Sequence, residues 1–127
     1  IFGGLGNDTI RGNAGSDTIA GGEGDDLIEG GNGNDIIAGD SGDDKIYGGY
    51  GRDTLLGSDG DDSLLGGNGQ DLVMGEAGID FVYGGLDRDE VTGGGNNNTT
   101  DADDIVKSIG DTVISDGFFF DFNDFLP

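Results

Sequence analysis

A large aliphatic residue recurs at every ninth position along most of the chain. These residues are Ile10, Ile19, Ile28, Ile37, Ile46, Leu55, Leu64, Val73, Val82 and Val91. Their neighbours on either side are of mixed polarity, so each stretch x-U-x, with U the aliphatic residue, predicts one short strand. Alternation along a strand would place U in the core and its two neighbours on the outer face. A repeat of this length indicates stacked, similar units.

Aspartate and glycine hold the other fixed positions of the repeat. Aspartate precedes each aliphatic residue by two positions, at Asp8, Asp17, Asp26, Asp35, Asp44, Asp53, Asp62, Asp71, Asp80 and Asp89. A first glycine begins each repeat, at Gly3, Gly12, Gly21, Gly30, Gly39, Gly48, Gly57, Gly66, Gly75 and Gly84. A further glycine follows three positions later in nine repeats, at Gly6, Gly15, Gly24, Gly33, Gly42, Gly51, Gly60, Gly69 and Gly78. The unit is G-G-x-G-x-D-x-U-x, and Ile1 keeps its phase, which predicts that the array continues upstream.

The residue types in this unit favour a hard cation. Glycine permits positive φ and close backbone approach, so the first six residues can curl with their carbonyl groups pointing inward. The aspartate adds a carboxylate. Carbonyl and carboxylate oxygens are the ligands of Ca²⁺, which takes 6–8 of them at about 2.3–2.6 Å.

Composition excludes several classes of function. The 127 residues include 30 Gly, 27 acidic and five basic residues, for a net charge of −22, and neither Cys nor His. Zinc sites built from Cys or His, Ser-His-Asp or Cys-His catalysis and disulfides are therefore impossible. The charge argues against nucleic acid or an anionic membrane as a partner, and no apolar run approaches a membrane span. Without an initiator Met or a signal peptide, the sequence is expected to be a fragment or a processed piece.

The repeat resembles the RTX nonapeptide of haemolysin-type calcium-binding proteins, as in residues 30–38, GGNGNDIIA. The resemblance implies an all-β fold, a right-handed parallel β-roll with two nonapeptides per turn and about five turns. It also implies Ca²⁺ held between same-edge loops of successive turns, by the ten repeat aspartates and by backbone carbonyls around the glycines named above. Five loops on each edge leave four gaps, which predicts about eight ions. The gap between the loops starting at Gly66 and Gly84 is the least secure, because Asp87 replaces a glycine and Arg88 adds positive charge.

Two alternative interpretations of the repeat require no metal. A flexible acidic linker has no need of an aliphatic residue at every ninth position. Aspartates that only cap turns would repel one another between turns about 4.8 Å apart, by roughly 1 kcal/mol per pair even in water. Because the core is thin, we expect metal binding to be coupled to folding.

Alternate repeats differ, and their loops should lie on opposite edges of the roll. Odd repeats carry extra acidic residues at Glu23, Asp25, Asp40, Asp43, Asp59, Asp61 and Glu76. Even repeats carry Arg52 and Arg88. The acidic edge is either a solvated face or a place for further cations or a basic partner. Even repeats also place apolar residues such as Ile36, Leu56 and Met74 beside U, which makes an outward stripe that is either a contact surface or merely tolerated.

Residues 93–127 leave the pattern, so the chain divides into a roll at 1–92 and a C-terminal segment at 93–127. Within this segment, Asp103 and Ile105 fit D-x-U with about five residues inserted before them, and residues 111–114 predict another strand. The end is aromatic, with Phe118, Phe119, Phe120, Phe122 and Phe125. We expect at least two of these to cap the last turn, aided by Ile105 and Val113. The segment is also compatible with a secretion signal.

The resemblance to RTX proteins implies a calcium-dependent structural module of an exported bacterial protein, secreted to the extracellular space or the cell surface. Its expected partners are calcium, an upstream domain of the same protein and the type I secretion machinery. We expect no catalysis, because acid pairs such as Asp25 and Asp26 already contain the repeat aspartate and no cleft is apparent. The alternative is an adhesive module that binds polysaccharide or a cell surface. Rows of aromatic and polar residues on one face would favour it, and the predicted faces show no regular row.

Overall fold

The computed structural model describes residues 1–94, 105–107 and 112–113, which form two parallel β-sheets. The seven-stranded sheet contains, in order, β1 (Phe2–Leu5), β3 (Thr18–Glu23), β5 (Ile36–Ser41), β7 (Thr54–Asp59), β9 (Leu72–Ala77), β11 (Glu90–Gly94) and β13 (Thr112–Val113). The six-stranded sheet contains β12 (Ile105–Lys107), β10 (Phe81–Leu86), β8 (Ser63–Asn68), β6 (Lys45–Tyr50), β4 (Leu27–Asn32) and β2 (Thr9–Ala14). No helix in the described residues is long and apolar enough to cross a membrane.

The pairing register confirms a roll of two nonapeptides per turn. Each strand through β11 pairs in parallel with the strand 18 residues away, so that Ile28 lies opposite Ile46 and Ile37 opposite Leu55. Consecutive strands therefore alternate between the two sheets, and equivalent loops stack along two edges. The fold is an all-β solenoid of about five turns, as the sequence predicts.

The core consists of the ten predicted aliphatic side chains. All of them are 7% exposed or less, and they form one cluster between the two sheets. Ile10 is the most exposed of them, because it belongs to the first turn of the roll. The nine-residue hydrophobic period therefore predicts the core completely.

The strands are twice as long as predicted. The x-U-x pattern predicts three residues, whereas β2 to β10 contain six each, because every strand continues into the Gly-Gly-x of the following repeat. The parallel ladder can continue there because every loop has the same shape as the loop one turn away. Gly49, for example, has a φ of 117° and pairs in register with Gly31 and Gly67. The third residue of each repeat thus joins a sheet.

One further pair of strands follows the regular repeats. Strand β12 pairs with β10 and β13 pairs with β11, so the predicted extra rung and the strand at 112–113 both exist. The register of β12 corrects the prediction by one residue, since Val106 rather than Ile105 lies opposite the core residue Val82. Val106 follows Val82 by 24 positions instead of 18, so the insertion is six residues rather than five. The phenylalanines from Phe118 to Phe125, and their predicted role as a cap, lie outside the described residues.

Candidate metal centre

The repeat aspartates stand at the inner side of the loops, in two columns along the two edges. The odd column contains Asp8, Asp26, Asp44, Asp62 and Asp80, and the even column contains Asp17, Asp35, Asp53, Asp71 and Asp89. The last four of each column are 3% exposed or less. Asp8 and Asp17 are half-buried because they belong to the first turn. The fold thus removes a column of carboxyl groups from water on each edge.

In the eight repeat aspartates after Asp17, one carboxylate oxygen accepts a hydrogen bond from the preceding turn. The backbone N–H of Asp26 donates to Oδ1 of Asp44 at 2.8 Å, and the Asp26 carbonyl accepts from the N–H of Lys45 at 2.9 Å. Eight N–H to Oδ1 bonds of this kind, at 2.7–2.9 Å, link successive aspartates along the two columns. There is one such bond for each gap between stacked loops.

The second carboxylate oxygen is buried in every column position. For eight aspartates, the Oδ2 atom has no hydrogen-bond partner in the described part of the chain: Asp8, Asp17, Asp26, Asp35, Asp44, Asp53, Asp62 and Asp71. Burial of a carboxylate oxygen without a partner raises the free energy of the folded state, and a bound cation offsets this cost. The Oδ2 atoms are therefore the candidate metal ligands.

A backbone carbonyl of the next turn lies close to each of these oxygens. A Cβ placed on Gly48 would stand 2.6 Å from Asp53 Oδ2 and 2.6 Å from the carbonyl oxygen of Gly66. The same pair of oxygens surrounds the first glycine of the nine repeats from Gly3 to Gly75. Only glycine fits in this position, because any side chain would collide with both oxygens. The loops therefore bring a carboxylate and a carbonyl oxygen together once per repeat.

This donor set suits calcium. No group of three or more acidic side chains converges within residues 1–94, 105–107 and 112–113, so an ion in a loop gap would draw on backbone carbonyls as well as carboxylates. All these donors are hard oxygens, which favour Ca²⁺ over softer metals. The residues present fit the ion.

Comparison with known families agrees with this chemistry. Four overlapping segments, residues 2–37, 29–64, 38–73 and 65–100, match the model of the RTX calcium-binding nonapeptide repeat. The chain belongs to this family. No curated protein matches the chain significantly. The RTX roll is thus a calcium-binding structural module.

The predicted site residues of these RTX repeats lie in the loops between the two sheets, except that the first glycine of each repeat lies within a strand. Nine of the ten aspartates, all but Asp89, form the carboxylate–carbonyl pairs just described. The further glycines also stack between turns, since a Cβ on Gly33 or Gly51 would meet the backbone of the glycine 18 residues earlier. Which of these carbonyls bind the ion stays a prediction.

A second ladder on the outside of the RTX loops was not predicted from the sequence. The backbone N–H groups of Asp43 and Asp61 donate to Oδ1 of Asp25 and Asp43, at 3.1 and 2.9 Å. Arg52 donates to Asn34 in the same way on the even edge, at 2.9 Å. The donor here lies one turn after the acceptor, the reverse of the inner ladder. Asp or Asn directly before the repeat aspartate is the signal that could have revealed it.

Burial of the inner column changes its acid–base behaviour. Removal from water raises the pKa of Asp62 to about 7 and the pKa of Asp44 and of Asp71 to about 6. Burial also raises the pKa of Asp53. The backbone hydrogen bond to each carboxylate opposes this shift, and the carboxylates one turn away add to it. Protons and a cation thus compete for the same oxygens.

Acid should therefore stabilise the calcium-free roll. An unfolded aspartate has a pKa of about 3.9, so between pH 4 and 7 the folded chain binds more protons than the unfolded chain. The stability of the metal-free fold then falls as pH rises through this window. Circular dichroism in excess chelator should show more β-structure at pH 4.5 than at pH 7.5. Asp62→Asn should weaken this dependence, and equal spectra at both pH values would contradict the raised pKa values.

Proposed function

We propose that this RTX module folds when it binds calcium outside the cell and supports the secretion and stability of an exported protein. The observation that carries the proposal is the buried, unpartnered Oδ2 atom repeated along both edges. Without a cation, each added turn would bury another pair of carboxylates. With calcium, the same oxygens become ligands that join one turn to the next.

The difference in calcium between compartments would set where folding occurs. Extracellular calcium modules often bind with dissociation constants of about 10⁻⁴–10⁻³ M. A chain with such affinity stays unfolded in a low-calcium cytosol, which suits passage through the narrow channel of a type I secretion system. It would fold in the extracellular medium or at the cell surface, beside an upstream domain of the same protein.

We assign the ligands to the ten repeat aspartates and to the loop carbonyls of the glycines between them. The eight N–H to Oδ1 links mark eight loop gaps, which supports one ion for each. Eight divalent ions would carry +16 and change the formal net charge from −22 to −6. Native mass spectrometry of the calcium-saturated chain should find eight ions. Fewer than six would contradict the assignment.

We further propose that residues 93–127 cap the C-terminal end of the roll. The added strands β12 and β13 extend both sheets beyond the regular repeats, which supports a continuation of the stack in this direction. A chain ending at Asp116 would lose the five phenylalanines between Phe118 and Phe125 but keep these strands. It should need more calcium to fold, because a cap orders the last loops and stabilises the ion-bound state. Equal calcium midpoints for the intact and shortened chains would leave secretion signal or simple extension as the role of the segment.

A further inference from the structure

A groove crosses the outer face of the six-stranded sheet, perpendicular to its strands. One wall is the row of register partners Arg11, Glu29, Tyr47, Leu65 and Tyr83, and the other is the row Ala14, Asn32, Tyr50, Asn68 and Leu86. The floor between them is the row Asn13, Gly31, Gly49, Gly67 and Gly85. The part across β2, β4 and β6 encloses about 360 Å³. The second wall exists only because the strands are six residues long, which is why the sequence pattern predicted no regular row.

All three tyrosines of the sequence stand on the walls of this groove. Tyr47 and Tyr50 lie on the same strand, on opposite sides of Gly49, and are 36% and 62% exposed. Tyrosine offers a rigid aromatic face and a polar hydroxyl at a low cost in side-chain entropy. Two such side chains on either side of Gly49 form a clamp for a flat ligand.

The backbone itself requires glycine along this floor, because a Cβ on Gly31, Gly49, Gly67 or Gly85 would meet the carbonyl oxygen of the residue 18 positions earlier. The equivalent row of the seven-stranded sheet contains Gly4, Gly22, Asp40, Ser58, Glu76 and Gly94. Asp40, Ser58 and Glu76 adopt φ values of 79°, 88° and 76°. These φ values are smaller than the 115–120° of the four floor glycines, so the side chains of the seven-stranded sheet stand on a differently shaped backbone. The six-stranded sheet has four successive glycines in this row, whereas the seven-stranded sheet has three successive side chains, two of them acidic. The uninterrupted run of four glycines is thus particular to the six-stranded sheet.

The charge of the groove selects among ligands. Its two charged side chains pair with each other, with Arg11 Nε 3.2 Å from Glu29 Oε2, and they leave no net charge on the walls. Asn32 and Asn68 add amide donors and acceptors to the opposite wall. The chain as a whole carries −22, which repels an anionic polymer. An uncharged ligand rich in hydroxyl groups fits these walls.

We propose that this groove binds a single extended chain of an uncharged polysaccharide, with sugar rings stacked on Tyr47 and Tyr50. Successive strands lie about 4.8 Å apart, which is close to the length of one hexose unit, so neighbouring sugars meet equivalent positions on successive strands. The asparagines and the Arg11–Glu29 pair bind hydroxyl groups. This activity is additional to calcium-dependent folding, and it requires only that the roll be folded.

The test titrates the full chain, saturated with calcium and shown by circular dichroism to be folded, with cellohexaose, chitohexaose, laminarihexaose and maltohexaose. Isothermal titration calorimetry should detect binding of at least one of them, with affinity that grows with chain length. Tyr47→Ala and Tyr50→Ala should each weaken that binding roughly tenfold, as expected for an aromatic anchor. Phe81→Ala is the matched control, since Phe81 is an exposed aromatic residue of the same sheet outside the groove. It should leave affinity unchanged.

Nuclear magnetic resonance of the unaltered chain provides a second measurement that does not depend on the variants. The bound hexasaccharide should shift the amide signals of Gly49 and Tyr50 rather than signals from the seven-stranded sheet. The proposal is overturned if none of the four sugars binds, if the shifts lie elsewhere, or if Phe81→Ala weakens binding as much as the tyrosine variants. Tighter binding of a hexauronate or of an extended peptide would overturn the assignment to an uncharged glycan. Because all measurements use a chain already verified as folded, they do not depend on whether folding itself requires calcium.

Discussion

Removal of calcium should unfold the chain. In excess chelator at pH 7.5 we expect the β-sheet signal to disappear and the radius of gyration to rise toward the roughly 37 Å of an unfolded chain of this length. The reason is that each nonapeptide buries only one aliphatic side chain together with a carboxylate, and at eight positions the Oδ2 atom has no partner among the residues that the structure describes. Such a thin core leaves folding dependent on the ion.

Circular dichroism and small-angle X-ray scattering before and after chelation would measure this change. Added Ca²⁺ should restore both signals, whereas Mg²⁺ should do so poorly, because it prefers rigid octahedral sites and keeps its waters. A chain that keeps its β-sheet spectrum in chelator would show that the core and the ladders suffice. The proposal of calcium-dependent folding would then fail.

Asp44→Asn should distinguish the roles of the two oxygens of a repeat carboxylate. The amide oxygen of Asn can still accept the hydrogen bond from the Asp26 N–H, while an NH₂ group, which cannot bind a cation, replaces Oδ2. We expect calcium binding in the two adjoining gaps to weaken about tenfold to a hundredfold, the loss typical of a charged ligand. In chelator the same variant should be no less stable than the natural chain, since a buried charge has been removed.

Asp43→Asn is the charge-matched control for this experiment. Asp43 is exposed, and its Oδ1 accepts the N–H of Asp61 at 2.9 Å, a bond that asparagine preserves. Both variants remove one negative charge from neighbouring positions of one loop. Calcium titrations followed by circular dichroism should show a raised midpoint for Asp44→Asn and little change for Asp43→Asn. Equal shifts would indicate a general effect of charge instead of a ligand.

The parts of this molecule that follow from periodicity could be predicted from the sequence. The aliphatic residues from Ile10 to Val91 recur every nine positions, which predicts one of them per strand and all of them in the core. That this core lies between two facing sheets is what the resemblance to RTX repeats implies. The buried columns follow for the same reason, because Asp26 and Asp44 occupy identical positions one turn apart. A period fixes every contact between equivalent residues once the number of repeats per turn is known.

Features that depend on backbone shape within one repeat could not be predicted in this way. The strands extend through Gly-Gly-x because a parallel ladder tolerates positive φ at its second glycine, and a count of β-forming residues gives no sign of this. The second wall of the groove, which contains Tyr50, depends on these longer strands and was therefore not predicted either. Beyond residue 94 the period ends, so nothing fixed the register of β12, and Val106 was mistaken for a flanking position.

The 18-residue register also determines which lengths of sequence can be gained or lost. Deletion of two adjacent repeats would remove one whole turn and return every later residue to an equivalent place. Deletion of a single repeat near the start of the roll would move every later strand to the opposite sheet. Asp40 and Glu76 would then lie in the row that forms the glycine floor of the groove. The motif is nine residues long. The chain can nevertheless lengthen or shorten only by pairs of motifs if each sheet is to keep its own outer face.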